Sequence, residues 1–135
     1  MQFKEIGGPL QACAYVPSQA TAGTDDNWPV WQAPAGCTVT GAVFVPSAAV
    51  TADPTNNAVY TLTRRRDGGS ATTVATRSWA DTDSVASTPE SMALSGTAAN
   101  LVLAAGDTLE VVKTHGGTGL VVPDGMLVVT YELTG

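Results

Sequence analysis

The sequence predicts a single-domain, all-β protein: an antiparallel β-sandwich, with a jelly roll of about eight strands as its expected topology. Three observations lead to this prediction. Thr and Val are abundant, and these β-branched residues fit the pleated, half-buried surface of a sheet. Short alternating segments are separated by Gly, Pro, Asn and Asp. No segment of helical length sustains an apolar period of 3.6 residues, and 135 residues correspond to one domain.

Eight segments have the composition or the alternation of strands. Their lengths and spacing are typical of two packed antiparallel sheets, and eight strands in two sheets indicate a jelly roll. An immunoglobulin-like sandwich is the alternative, although the Cys…Trp…Cys spacing of true immunoglobulin domains is absent. The predicted strands cover residues 12–16, 29–32, 38–45, 58–66, 70–79, 90–94, 107–115 and 126–133.

The first two predicted strands are short and flanked by prolines, which indicates sheet edges. In the third, alternation predicts two faces, with Val39, Val43 and Val45 on one and Thr38, Thr40 and Phe44 on the other. The fourth and fifth are joined by Asp67-Gly-Gly, a hairpin signal, because Gly takes the positive φ of such turns. The last strand has the clearest alternation, and its predicted core residues are Leu127, Val129, Tyr131 and Leu133.

The first part of the chain is less regular than the rest. Residues 19–27 are polar and rich in Gly, Thr and Asp, as expected of a loop. We therefore expect residues 1–27 to form an N-terminal arm with a polar loop, and residues 28–135 to form the sandwich. The first residues lack the apolar stretch of a secretory signal, so none is expected.

Charge and composition exclude several partners. The formal net charge is −6, which disfavours nucleic acid and anionic lipid headgroups, since both are bound mainly through Lys and Arg. No apolar run approaches the length of a membrane span. We expect neither nucleic acid nor membrane as a partner.

Catalytic and metal-binding patterns are missing from the sequence. His115 is the only histidine, and no Gly-x-Ser-x-Gly elbow accompanies it. Residues 116–119 are rich in glycine but lack the Lys of a phosphate-binding loop. The acidic pairs are interpreted as solvated turn residues; they are Asp25 with Asp26 and Asp81 with Asp83. We predict no enzymatic activity, no catalytic residue, no cofactor and no metal site.

The two cysteines, Cys13 and Cys37, are too few for a disulfide framework or a metal site. Both have small neighbours, so we interpret them as small apolar core residues of a reduced protein. A bridge between them is the alternative under oxidising conditions.

Two groups of residues are candidate partner contacts. Half of the basic residues stand in one run, Arg64, Arg65 and Arg66. Three interpretations are open: the run belongs to a solvated hairpin, it contacts a neighbouring subunit or the capsid, or it binds nucleic acid. The N-terminal group combines apolar residues with an aromatic pair; it consists of Phe3, Ile6, Leu10, Trp28 and Trp31. Aromatic anchors dominate binding energy when they fill pockets on a partner. The alternatives are that both tryptophans lie in the core or that they form a sugar-binding platform.

Four segments carry a family resemblance. They are residues 33–46 (APAGCTVTGAVFVP), 54–57 (PTNN, followed by an alternating strand that ends in arginines), 101–111 (LVLAAGDTLEV) and 117–129 (GTGLVVPDGMLVV). In order and spacing, residues 33–133 resemble the small head-decoration proteins of tailed bacteriophages, also called capsid cement or head-fibre proteins, especially those of phages that infect actinobacteria.

The resemblance implies a non-enzymatic virion protein on the outer surface of the capsid. It implies assembly in the host cytoplasm, a homotrimer, and binding to the lattice of the major capsid protein, which stabilises the shell. Each trimer would bridge neighbouring capsid subunits and gain from effective concentration. The alternative function is a receptor- or carbohydrate-binding jelly-roll module of a tail fibre or adhesin.

We predict that the purified protein is a homotrimer, because open sheet edges need covering and the resembled family favours threefold assembly. Light scattering at micromolar concentration measures the mass in solution. A monomer of about 13.7 kDa would contradict the prediction for the free protein.

Overall fold

Two antiparallel sheets pack face to face in a computed structural model that describes residues 8–134. Sheet A has the order β1-β10-β3-β6, with β8 also paired to β3, and sheet B has the order β2-β9-β4-β5-β7. A 3-10 turn covers Ala98–Leu101. The strands are β1 (Leu10–Val16), β2 (Asp26–Gln32), β3 (Cys37–Pro46), β4 (Asn57–Arg65), β5 (Thr72–Ser78), β6 (Glu90–Ser91), β7 (Ala93–Leu94), β8 (Val102–Leu103), β9 (Thr108–Gly116) and β10 (Gly125–Leu133).

The strand order is that of a jelly roll. Antiparallel pairs are nested from the ends of the chain inward: β1 with β10, β2 with β9, β3 with β6, and β4 with β5. Among these eight strands, each connection crosses from one sheet to the other except the β4–β5 hairpin. The nesting follows from a long antiparallel hairpin rolled into two sheets. The predicted all-β sandwich with jelly-roll topology is confirmed, and the immunoglobulin-like alternative does not apply.

The N-terminal part of the chain from Leu10 onward belongs to the sandwich. β1 pairs with β10 from Leu10↔Tyr131 to Val16↔Gly125 without a register shift. The expected boundary between an arm and a sandwich, at residues 27 and 28, falls inside β2. Sequence reasoning underrated β1 because two of its inward side chains are small alanines, Ala12 and Ala14, which weaken the apolar alternation.

β3 has a bulge that corrects the prediction of its faces. Thr130 of β10 pairs with Gly41, whereas Tyr131 pairs with Val39, so Thr40 is an extra residue. One extra residue reverses the alternation beyond it. Phe44 is therefore buried in the core, and the expectation that Val43 and Val45 share the inner face with Val39 is wrong.

Aromatic rings join the two sheets in the core. Phe44 of sheet A lies 5.3 Å from Tyr60 of sheet B, and both rings meet Trp79, which follows β5, at 5.9 and 5.0 Å. All three pairs have the edge-to-face geometry that aromatic quadrupoles favour. Burial raises the pKa of the Tyr60 hydroxyl, which has no hydrogen-bond partner among the described residues.

A buried polar network organises the connection from β5 in sheet B to β6 in sheet A. Arg77, only 8% exposed, donates to Glu90 Oε2 at 3.1 Å and lies 4.8 Å from the ring centre of Trp79. Ser84 Oγ accepts from Trp79 Nε1 at 2.6 Å and donates to Glu90 Oε1 at 2.6 Å. Every polar group in this network has a partner, so its burial is compatible with a stable fold.

We predict that Glu90→Ala lowers the free energy of unfolding by about 3 kcal/mol, because Arg77 then keeps a buried charge without its carboxylate. Urea denaturation at pH 7 measures the change. The control is Glu132→Ala, at an exposed position of β10, which we expect to alter stability by less than about 0.5 kcal/mol. Equal midpoints for the two variants would contradict the role of the network.

Candidate interaction surface

The arginine run is engaged within its own chain. Arg65 Nε donates to Glu110 Oε1 at 2.5 Å, and Arg66 holds both carboxylate oxygens of Asp107 at 2.9 and 2.8 Å. Arg64 donates to the Val102 carbonyl oxygen at 2.7 Å. The acids that pair with Arg65 and Arg66 therefore belong to β9 and to the residue before it.

The Arg66–Asp107 pair has the best hydrogen-bonding geometry of these contacts. The Arg66 guanidinium, together with the backbone N–H of Ala104, holds the pKa of Asp107 below its usual range, and burial of the carboxylate opposes this shift. Asp107 is buried while Arg66 stays half-exposed to solvent. The pair joins the end of β4 to the start of β9, two neighbouring interior strands of sheet B.

The two tryptophans of β2 pack toward the core. Trp28 pairs with Val111 and Trp31 with Leu109, because a bulge at Val30 adds one residue between them. Both side chains are half-buried; Trp28 meets Tyr60 edge-on at 6.1 Å, and Trp31 lies 4.8 Å from Tyr131. This packing corresponds to the core alternative and not to an exposed aromatic platform.

Of the other N-terminal candidates, only Leu10 lies within the described residues. Leu10 is half-buried and packs against the core from the start of β1. Phe3 and Ile6 lie outside the described residues. Their predicted contact with a partner stays a prediction.

The cysteines lie in different environments and are both free. Cys37 is buried, and burial raises the pKa of its thiol, whereas the side chain of Cys13 is exposed on β1. The expectation that Cys13 is a core residue is therefore wrong. Cys13 pairs with Val128 and Cys37 with Leu133, five positions apart on β10. This separation is about 17 Å along the strand, too long for a disulfide.

The loops at one end of the sandwich contact one another through single polar bonds. His115 Nδ1 lies 2.6 Å from Asp25 Oδ1, and the buried Lys113 donates to the Ala22 carbonyl oxygen at 3.1 Å. Burial lowers the pKa of Lys113, while Asp25 and Asp26 oppose the shift. Gly119 has a positive φ and lies so close to Ala22 that a Cβ would collide with its carbonyl. These contacts hold the loops together and bring no nucleophile to His115.

The acidic side chains within residues 8–134 do not form a metal-binding cluster. No group of three or more His, Cys, Asp or Glu side chains could hold a metal ion there. Asp83, one of the paired acids, accepts a hydrogen bond from the backbone N–H of Ala52 at 2.8 Å. The same part of the chain contains no helix with the length and apolarity of a membrane span.

The outer face of sheet A contains an apolar surface that sequence reasoning missed. Two rows of side chains cross β1, β10 and β3, and none of them is charged. Tyr15 is 68% exposed and Met126 is 43% exposed. We call these six residues the sheet A patch: Tyr15, Met126 and Val45 in one row, and Cys13, Val128 and Val43 in the other. The sequence signal was present in β10, where the outward positions Met126 and Val128 are apolar as well as the inward ones.

A groove of about 460 Å³ lies at one end of the sheet A patch. Tyr15, Val45 and Met126 line it, and Asp124 closes one side. Ser47 Oγ donates to Asp124 at 2.6 Å and the Tyr15 hydroxyl donates to it at 3.0 Å. These two bonds lower the pKa of Asp124, so the carboxylate is charged at neutral pH. None of the ion pairs within residues 8–134 includes Asp124.

We predict that Asp107→Asn lowers the free energy of unfolding at pH 7 by about 1.5 kcal/mol, since a charged hydrogen-bonded pair is lost. The folded-state pKa of Asp107 is depressed, so its contribution is present above the unfolded pKa of about 3.9 and is lost as pH falls through the lower folded value. The variant should therefore lose less stability than the wild type between pH 6 and pH 2 in thermal melts. Asp81→Asn, in an exposed turn, is the control; parallel curves for all three proteins would refute the assignment.

Comparison with known proteins gives a likeness to a chain of a solved viral structure. No protein-family model and no curated protein sequence matches the chain. A chain in a solved structure of infectious bursal disease virus, Gx strain, is similar at a TM-score of 0.34 and 14% sequence identity, over 93% of this chain and 33% of that chain. This protein thus spans about a third of the length of the viral chain.

Proposed function

We propose that this protein is a structural component of a bacteriophage virion that binds the outer surface of the capsid and stabilises the shell. The observation that carries the proposal is the sheet A patch, an uncharged apolar surface that a solvated monomer would leave exposed. The resemblance of residues 33–133 to head-decoration proteins supplies the partner, the lattice of the major capsid protein.

The proposed role is one of contact and not of catalysis. Within residues 8–134 the ion pairs are internal: Arg65 with Glu110, Arg66 with Asp107, Arg77 with Glu90, and His115 with Asp25. The net charge of −6 supports a protein partner over nucleic acid or a membrane. No enzymatic activity, cofactor or metal belongs to the proposal.

A homotrimer would make the proposed contact effective. A patch of six side chains is smaller than the roughly 800 Å² per partner of a stable interface, so a single copy would bind weakly. Three patches on one trimer would engage neighbouring capsid subunits together, and the second and third contacts would form at high effective concentration. The proposed clamp therefore resists separation of neighbouring subunits.

The receptor- or carbohydrate-binding alternative loses its main support in the structure. A sugar platform requires exposed rings, and Trp28 and Trp31 are half-buried against Tyr60 and Tyr131. The capsid proposal is the one that the exposed apolar surface favours.

We predict that particles of the parent virus contain this protein in tens to hundreds of copies, in proportion to capsid lattice sites. Quantitative mass spectrometry of purified particles measures the number, with the major capsid protein of the same particles as the internal standard. A few copies per particle would indicate a fibre module, and absence from the particles would refute a virion role.

A further inference from the structure

β1 is an edge strand that lacks the usual protection against pairing with another chain. Natural edge strands are protected by charged residues, prolines, bulges or short length. β1 has seven residues, LQACAYV, with no charge and no proline. It pairs with β10 along its whole length without a bulge, so its free edge is regular.

The other strands at or near the sheet edges are protected in these ways. β2, at the corresponding edge of sheet B, contains Asp26, Pro29 and the bulge at Val30. β6, β7 and β8 have two residues each, too few to direct a new strand. Within residues 8–134, β1 is therefore the edge best suited to accept an added strand.

The free edge of β1 is continuous with the sheet A patch. Alternate backbone N–H and C=O groups of an edge strand point away from its neighbour, and among the described strands β1 pairs with β10 alone. Cys13 and Tyr15 project from β1 on the outer face, and the Tyr15 hydroxyl donates a hydrogen bond to the charged carboxylate of Asp124. The free backbone groups of β1, the apolar side chains of the sheet A patch and the charge of Asp124 are therefore adjacent to one another.

We propose that β1 accepts an added β-strand from the partner protein, and that this strand has apolar side chains toward the sheet A patch and a Lys or Arg near Asp124. Main-chain hydrogen bonds supply affinity in such strand addition, and alternate side chains supply specificity. The added strand would lie two strand spacings, about 10 Å, from β10. A long cationic side chain that crosses the ring of Tyr15 spans this distance to Asp124.

Within residues 8–134, the charges indicate a foreign strand over the same part of a second copy. The five basic side chains within residues 8–134 are already engaged by their own chain: Arg64, Arg65, Arg66, Arg77 and Lys113. A second copy of the described residues offers no unengaged cation to Asp124. The identity of the partner, a capsid subunit, rests on the proposed function.

Binding to shells assembled from the parent virus's capsid protein tests the proposal, with the full chain as the ligand. We expect Cys13→Lys to weaken binding at least tenfold, because a charge at the centre of β1 opposes strand addition. Asn27→Lys is the matched control, since Asn27 is exposed on the other edge strand, β2, and the change in net charge is the same. We expect the control to bind as the wild type does.

The natural cysteines supply a second readout that needs no variant. In the free protein, iodoacetamide should alkylate the exposed Cys13 and leave the buried Cys37 unmodified. In the shell-bound protein, mass spectrometry should find Cys13 protected as well. This measurement decides the question even where Cys13→Lys fails to fold.

The outcomes separate the two proposals. A wild-type protein that does not bind the shells refutes the proposed function and, with it, the foreign strand. Wild-type binding with Cys13 still reactive, or with Cys13→Lys bound as tightly as Asn27→Lys, overturns strand addition while the proposed function stands. A change in the mass of the free protein on Cys13→Lys, measured by light scattering, assigns the edge to a second copy and also overturns the proposal.

Discussion

The edge-to-face contact of Phe44 with Tyr60 and Trp79 is the interaction on which both faces of sheet A depend. It brings a ring from sheet A against rings from sheet B and from the chain that leaves β5. For Phe44 to reach that position, β3 must place it inward, and the bulge at Thr40 does so. The same bulge turns Val43 and Val45 outward, so the core contact supplies two of the six residues of the sheet A patch on the opposite face.

Bulges also explain why the fold was predictable from the sequence while parts of the surface were not. The alternation of β10 predicted its inner residues correctly, since no extra residue separates Leu127, Val129 and Tyr131 from the alternate positions of that strand. In β2, the extra residue Val30 allows two tryptophans three positions apart to face the same way. This bulge is stabilised by contacts with residues that are distant in sequence, here Leu109 and Val111. The local sequence of β2 therefore does not predict it.

The charged groups show a similar limit. The run Arg64, Arg65 and Arg66 was visible as a cluster, but its partners were not, because Glu110 and Asp107 lie more than forty residues away in sequence. Antiparallel pairing of β4 with β9 brings them together. The consequence reaches beyond sheet B: with these cations engaged internally, the sheet A patch, whose six side chains carry no charge, is a surface that another protein can cover without desolvating an ion pair.

An uncharged edge strand beside an apolar patch is ordinarily an aggregation hazard. Two features limit the hazard here. The net charge of −6 makes copies of the chain repel one another at a distance, and Asp124 places one negative charge at the patch itself. Both features repel an acidic surface and attract a basic one, so they oppose nonspecific aggregation without opposing a basic partner. In the proposed strand addition, an edge as regular as that of β1 is compatible with specific binding, because selectivity among partners would come from charge and affinity from the backbone and the apolar rows.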